Sequence, residues 1–201
     1  MANRQQVAKN GMRSGRRKRR KATAQSLRNA ALFYLQRYST SAENLRRILM
    51  RRVERAAHAH GSDIKEGARF LDEIIIRYRE MGLLDDRAYA TAQTQSLHRR
   101  GTSLRAIRAR LHAKGVGRKE IDRALTNLEP STIDPDIPAA VIIARRRRLG
   151  PWRLSDRADH RQRDLATLAR RGFSFAVATQ VIDAESEALV EALVDVHNSD
   201  E

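Results

Sequence analysis

Two kinds of residue in this chain could do chemistry: a few histidines and acids close enough to suggest a metal, and a large excess of arginine and lysine. His58-Ala-His60 with Asp63 comes nearest to a ligand set. Residues i and i+2 of a helix point apart, however, and no clear fourth ligand follows, so the segment reads as a solvated polar insertion around Gly61 and Ser62. Asp85-Asp86 reads as a helix start rather than a magnesium site, with Asp85 as the cap and Asp86 in the first turn. The chain has no cysteine, which removes disulfides, thiolate zinc sites and cysteine nucleophiles. No nucleophile elbow, phosphate loop, dinucleotide fingerprint or paired-acid motif occurs. No catalytic residue, cofactor-binding residue or metal ligand is therefore assigned.

The cations carry more information. Forty Lys and Arg oppose 24 Asp and Glu, a net charge of +16, and a surface so charged attracts polyanions, nucleic acid first among them. The charge is unevenly placed. Residues 1–21 hold nine basic residues and no acid, whereas residues 183–201 hold seven acids and no base. Between them, residues 98–123 carry nine Lys or Arg against two acids, and residues 145–171 carry ten Arg against three. Arg47, Arg51 and Arg55 recur every four residues as a stripe along one helix, with Arg52 beside them. Arg108, Arg110, Lys114, Arg118 and Lys119 form a second group, and Arg145, Arg147, Arg148, Arg170 and Arg171 a third. These are the candidate contacts to nucleic acid or to an acidic partner. Arg51-Arg52, Lys114 and Arg170-Arg171 are expected at matching places in three units, so that stacking repeats them along one surface. Aromatic residues make up only 4% of the chain, which limits base-stacking platforms.

The elements that must position these cations are helical throughout. Leu111-His-Ala-Lys-Gly115-Val116 and Leu168-Ala-Arg-Arg-Gly172-Phe173 are two versions of one helix end: basic last turn, glycine stop, apolar lead into the next helix. A spacing of that size suits a three-helix unit, and a weaker first copy starts at Ser41, so a tandem array is expected. Leu27, Ala30, Ala31, Tyr34, Leu35 and Tyr38 mark one buried helix face. Thr40 and Glu43 have capping-box spacing before a helix that buries Leu45, Ile48, Leu49, Val53 and Ala56. A third helix turns Phe70, Leu71, Ile74, Ile75 and Tyr78 inward. In the second unit Tyr89, Ala92 and Ser96 mark the inner face of the first helix. Ser103 caps the next, and Gly117 opens the last. The third unit is expected to run through Ala140–Leu149, a Gly150-Pro151-Trp152 break, a helix capped by Ser155 and another capped by Ser174. The resulting division is a disordered basic arm at 1–22, repeats at 23–82, 83–128 and 139–185, a proline-rich linker at 129–138, and an acidic C-terminal helix or tail at 186–201.

The glycine junctions also resemble helix-turn-helix readers, in which helices from Arg118 or Ser174 would enter a major groove. Phe175-Ala-Val177 offers nothing to base edges, and recurrence at similar spacing is better explained by stacking. No apolar run reaches the ~18 residues of a membrane span, and no signal peptide is evident, so no membrane partner and a cytoplasmic location are expected.

Phe70-Leu-Asp-Glu-Ile74 through Gly82-Leu-Leu-Asp-Asp86 with Tyr89-Ala90, then Gly101-Thr-Ser103, Ile107, Leu111, Lys114-Gly-Val116, Ile121 and Arg170-Arg-Gly-Phe-Ser174, resemble the RecX family in order and spacing. The resemblance spans roughly residues 25–183. It implies an all-α, elongated and curved array of three three-helix repeats; a monomer with no cofactor is expected. It also implies a regulator, typically an inhibitor, of the RecA recombinase that lies along the RecA filament on single-stranded DNA and modulates recombination, repair and the SOS response. The family has no catalytic residues to transfer. The basic arm, the Ala56–Gly67 insertion and the acidic C-terminal helix depart from the family's pattern. A general nucleic-acid-binding protein with no recombinase target is the alternative reading.

Overall fold

The computed structural model describes residues 21–128 and 134–195; the expected arm, apart from its last two residues, the first half of the linker and the end of the acidic tail lie outside them. All regular structure among the described residues is helical. Helices α1 (Ala24–Leu35), α2 (Ala42–His60) and α3 (Ile64–Glu80) make the first unit; α4 (Asp86–His98), α5 (Leu104–Ala113) and α6 (Arg118–Thr126) the second. The third comprises α7 (Asp136–Arg147), a 3-10 turn at Gly150–Trp152, α8 (Arg157–Ala169) and α9 (Phe175–Ile182), and α10 (Glu187–Asp195) follows it.

Each unit closes over its own apolar cluster. Leu27, Leu45, Leu49, Val53, Leu71 and Ile74 fill the first, where Leu84 also packs, although it follows α3. Tyr89, Leu97, Ile107, Leu111 and Ile121 fill the second. Ile143, Trp152, Leu165, Leu168 and Phe173 fill the third, and Val190 of α10 is buried among them. Such an array draws its stability from each unit and from nearest-neighbour contacts.

The third unit also buries a charge. Asp164 is 1% exposed and accepts from the Gly150 amide at 3.0 Å and from Arg153 Nε and Nη2 at 3.1 and 2.7 Å. Burial pushes its carboxyl upward, but Arg153 and the Gly150 N–H outweigh burial and hold it below the ordinary value. The 3-10 turn is thereby tied to α8.

Several local expectations are corrected. Thr40 does not cap α2: Ser41 does, accepting from the Asn44 amide at 3.2 Å, while Thr40 Oγ1 accepts from Asn44 Nδ2. The residues read as an insertion from Ala56 instead extend α2 to His60, where Gly61 stops it in the left-handed conformation. His58 and His60 thus lie in a helix rather than a loop, and Asp63 caps α3. Gly67 lets α3 lie close against α2, because a β-carbon there would press into the Val53 side chain. Tyr38 lies beyond α1 and is exposed. In α4 the buried side is Tyr89, Ala90, Thr94 and Leu97; Ala92 is exposed and Ser96 only half-buried. Helix α7 starts at Asp136, so Pro138 belongs to its first turn and not to a linker. Ser155 does not cap α8, which begins after Asp156, a residue with left-handed backbone and no side-chain capping bond.

Candidate nucleic-acid interface

What aligns the three units is one junction, built twice. At the first, Ser41 caps α2 with its hydroxyl oxygen and donates the hydroxyl proton to the Lys114 carbonyl at the end of α5. The next amide, Ala42 N–H, donates to Asp86 Oδ1 at the start of α4, at 2.8 Å. At the second, Ser103 caps α5 and donates to the Arg171 carbonyl at the end of α8 at 2.8 Å. Leu104 N–H donates to Asp136 Oδ1 at the start of α7, also at 2.8 Å. One serine therefore serves two helices, satisfying an amide of its own and a carbonyl of the next unit.

The consequence is directional. The C-terminus of α8 meets the N-terminus of α5, and the C-terminus of α5 meets the N-terminus of α2. The middle helices run head to tail with opposite dipole ends together, which is the attractive arrangement. Both glycines at these ends are required twice over. Gly115 has φ +74°, and a β-carbon on it would lie 2.6 Å from Glu43 Cβ and 2.7 Å from Arg47 Nη2. Gly172 has φ +93°, and its β-carbon would lie 2.7 Å from Ser103 Oγ. Gly61, at the free end of α2, would meet nothing within 4 Å.

Asp86 and Asp136 differ in their surroundings. Asp86 Oδ2 accepts from Arg79 Nη2 at 2.9 Å. Asp136 has no such partner; burial pushes its carboxyl up, against the opposing pull of the Leu104 amide. His98 Nε2 sits 2.5 Å from the Pro135 carbonyl next to it.

The candidate cations fall into distinct settings. Arg47 works inside the first junction: Nη1 donates to the Ala113 carbonyl at 3.0 Å and Nε pairs with Glu43 at 3.4 Å. Lys114 is exposed beside it, its carbonyl occupied by Ser41. Arg51 is exposed and Arg52 half-buried, both in the middle of α2, and Arg55 Nε donates to the Arg51 carbonyl at 3.0 Å. Arg51-Arg52 therefore does not match Lys114 and Arg171; His60, just before Gly61, holds that place in the first unit. Arg108 and Arg118 both pair with Asp122, whose carboxyl they hold below its ordinary value, so part of their charge is answered within the unit. Arg110 and Lys119 are exposed on the same unit.

At the second junction the cations converge. Burial, then the nearby Arg147 and Arg146, pushes the Arg171 guanidinium down from its ordinary value. Three like charges close together are unfavourable without an anion to answer them. Arg145 is turned toward α10 and pairs with Glu191 at 3.5 Å, while Arg148 takes the left-handed conformation that ends α7. Arg170 Nη2 reaches Thr167 Oγ1 at 3.3 Å. Sequence reasoning left Arg146 out of the third group, because four consecutive arginines sweep around a helix and only packing reveals which sides matter. It also missed the long-range roles of Ser41, Ser103, Asp86 and Asp136. Their signal was the pairing of a capping serine with an Asp-x-Asp or Asp-Asp helix start in successive units.

No group of residues among those described could hold a metal ion, and no helix among them is long and apolar enough to cross a membrane.

Residues 85–125, which make up nearly all of the second unit, match the model of RecX, second three-helix domain. The chain is 39% identical over 172 residues to the Regulatory protein RecX of Myxococcus xanthus (strain DK1622), covering 85% of this chain and 91% of that one. This chain belongs to the RecX family. The Regulatory protein RecX of Agrobacterium fabrum (strain C58 / ATCC 33970) is 32% identical over 171 residues, covering 84% of this chain and 88% of its own. Two crystal structures share the fold. RecX from Lactobacillus salivarius superposes with a TM-score of 0.58 at 19% identity, covering 80% of this chain and 94% of that one. A second, described as regulatory protein RecX, has a TM-score of 0.59 at 22% identity and covers 80% and 72%. The family is one of regulatory proteins rather than enzymes.

Proposed function

We propose that this chain restrains the RecA recombinase by lying along its filament on single-stranded DNA, without chemistry of its own. The observation that supports this most is similarity to regulatory RecX proteins across all three units, not one domain alone. The geometry adds a physical reason. Junctions of one design hold units in register, and an array so built offers an extended surface suited to several protomers of a polymer. Lys114 at one junction and the Arg146, Arg147 and Arg171 cluster at the next would meet phosphates or acidic patches at intervals along it. Arg51, Arg52, Arg55, Arg110, Lys119, Arg148 and Arg170 are further contacts in this reading. Arg47, Arg108, Arg118 and Arg145 serve chiefly within the protein. The chain acts as a monomer, its repeats dividing at 83 and 129, its linker ending where α7 starts at Asp136 and its acidic tail following from 186, with its basic arm adding long-range attraction.

The net charge of +16 also suits a general nucleic-acid binder. The experiment that separates the two compares affinity for single-stranded DNA, bare and coated with recombinase, at one salt concentration. Recombinase regulation requires markedly tighter binding to the coated strand. Equal or weaker binding to it would favour the general binder.

A further inference from the structure

The first unit contains an open groove of about 710 Å³ between α1 and α2, away from both junctions. All its charged lining residues are cations: Lys21, Arg52 and Arg55. Phe33 and Tyr34 contribute aromatic surface, and Asn29 an uncharged amide. Phe33 is 59% exposed, a large apolar side chain that the core of the unit does not use. The Arg37 guanidinium lies 3.9 Å from its ring centroid, so one face is covered by a further cation. The Tyr34 ring is steadied by Tyr38 at 5.0 Å between centroids.

We infer that this groove is a binding site for single-stranded nucleic acid. Aromatic faces on which bases stack, lined by cations that track the backbone, are the recurring design of such sites. In the groove, a base lies against Phe33, Lys21, Arg52 and Arg55 meet the flanking phosphates, and Asn29 is placed for a base edge. The sequence adds an independent argument. Residues 1–21, with nine basic residues and no acid, join the groove at Lys21. Such a segment carries the same sign of charge as the groove's rim and adds to the attraction of a strand. An acidic protein helix would also answer the charge, but would gain nothing particular from an aromatic face over an aliphatic one. The inference deepens the proposed function by giving the DNA a place on this chain, and rests on that reading only for the strand's source.

The test is the affinity and salt dependence of the full-length protein for a labelled oligothymidylate, without recombinase. Phe33→Ala and Phe33→Leu are both expected to weaken binding roughly tenfold, as removing one stacked base does. Neither should change the slope of log affinity against log salt. Arg52→Ala with Arg55→Ala should flatten that slope by about 1.4, at ~0.7 for each phosphate no longer neutralised. Helicity should stay unchanged, since all three side chains lie outside the closed core. Unchanged affinity in the Phe33 variants would overturn the site. So would full retention by Phe33→Leu with loss by Phe33→Ala, the mark of apolar docking by a protein. Inhibition of recombinase is measured on the same variants. If it falls while bare-DNA affinity holds, the groove binds protein and the inference fails, but the proposed function stands. If the wild-type protein leaves recombinase untouched while the variants lose DNA, the proposed function fails and the groove stands.

Discussion

Gly61 and Gly115 end equivalent helices with nearly the same backbone, φ +67° and +74°, yet only Gly115 touches another unit. Replacing each by alanine therefore separates backbone strain from junction contact. Both variants incur the left-handed penalty of about 1–2 kcal/mol for an L residue. In Gly61→Ala nothing more follows, because the new methyl points into open space. In Gly115→Ala the methyl would lie 2.6 Å from Glu43 Cβ, which is close to the α2 backbone and cannot swing away. The junction must open, loosening the Ser41 bond to the Lys114 carbonyl and the Arg47 bond to the Ala113 carbonyl. At about 0.5–1.5 kcal/mol for each hydrogen bond, Gly115→Ala should cost ~1–3 kcal/mol more than Gly61→Ala. Urea unfolding followed by helix circular dichroism measures that difference. Small-angle scattering should show a changed envelope for Gly115→Ala only. Equal destabilisation with identical scattering would refute the claim that this junction holds the units in register.

Acid should loosen the third unit through Asp164 and Asp183. Arg161 holds Asp183, and Arg153 with the Gly150 amide holds Asp164, below the ordinary carboxylate range. Their stabilisation is complete above about pH 4, the unfolded value, and is lost as pH falls through the folded values. Asp164→Asn should cost about 1–3 kcal/mol by weakening the bonds to the partly exposed Arg153 and to Gly150, and should flatten the acid limb of a stability–pH curve. Charge reversal at Lys114 and Arg170, both exposed, should weaken filament binding several-fold with helicity intact, as read by anisotropy and circular dichroism; Leu111→Asp or Leu168→Asp should instead unfold a unit. Deleting residues 1–21 should flatten the salt dependence of binding to bare DNA by about 0.7 for each phosphate the arm neutralises, while filament recognition survives.

The helices and most of their caps were legible because they are local. Ser103, Asp85, Gly117 and Ser174 cap where periodicity placed them, since a capping residue and its apolar run lie within a few positions of each other. Errors arose where a distant contact decided. Thr40 and Ser41 are both good caps, and Thr40 has Glu43 at capping-box spacing. Ser41 is used because its hydroxyl also bridges to Lys114, 73 residues on. The last turns of α2 carry no apolar stripe beyond Ala56, so they read as a loop, whereas the helix runs on to His60 and stops at Gly61. That error misplaced Arg51-Arg52 as the counterpart of Lys114. The candidate interface was legible as charge but not as arrangement. Composition counts arginines, whereas pairing of Arg108 with Asp122 and of Arg145 with Glu191, and crowding of Arg171 by Arg146 and Arg147, depend on which helices meet.

The most direct test of a regulatory array on a recombinase filament is ATP hydrolysis by RecA on single-stranded DNA as this protein is titrated in. The account requires hydrolysis and strand exchange to fall at substoichiometric to near-stoichiometric ratios, with Gly115→Ala shifting the curve to higher protein and Gly61→Ala leaving it in place. Turnover and filament length unchanged across that range would contradict it.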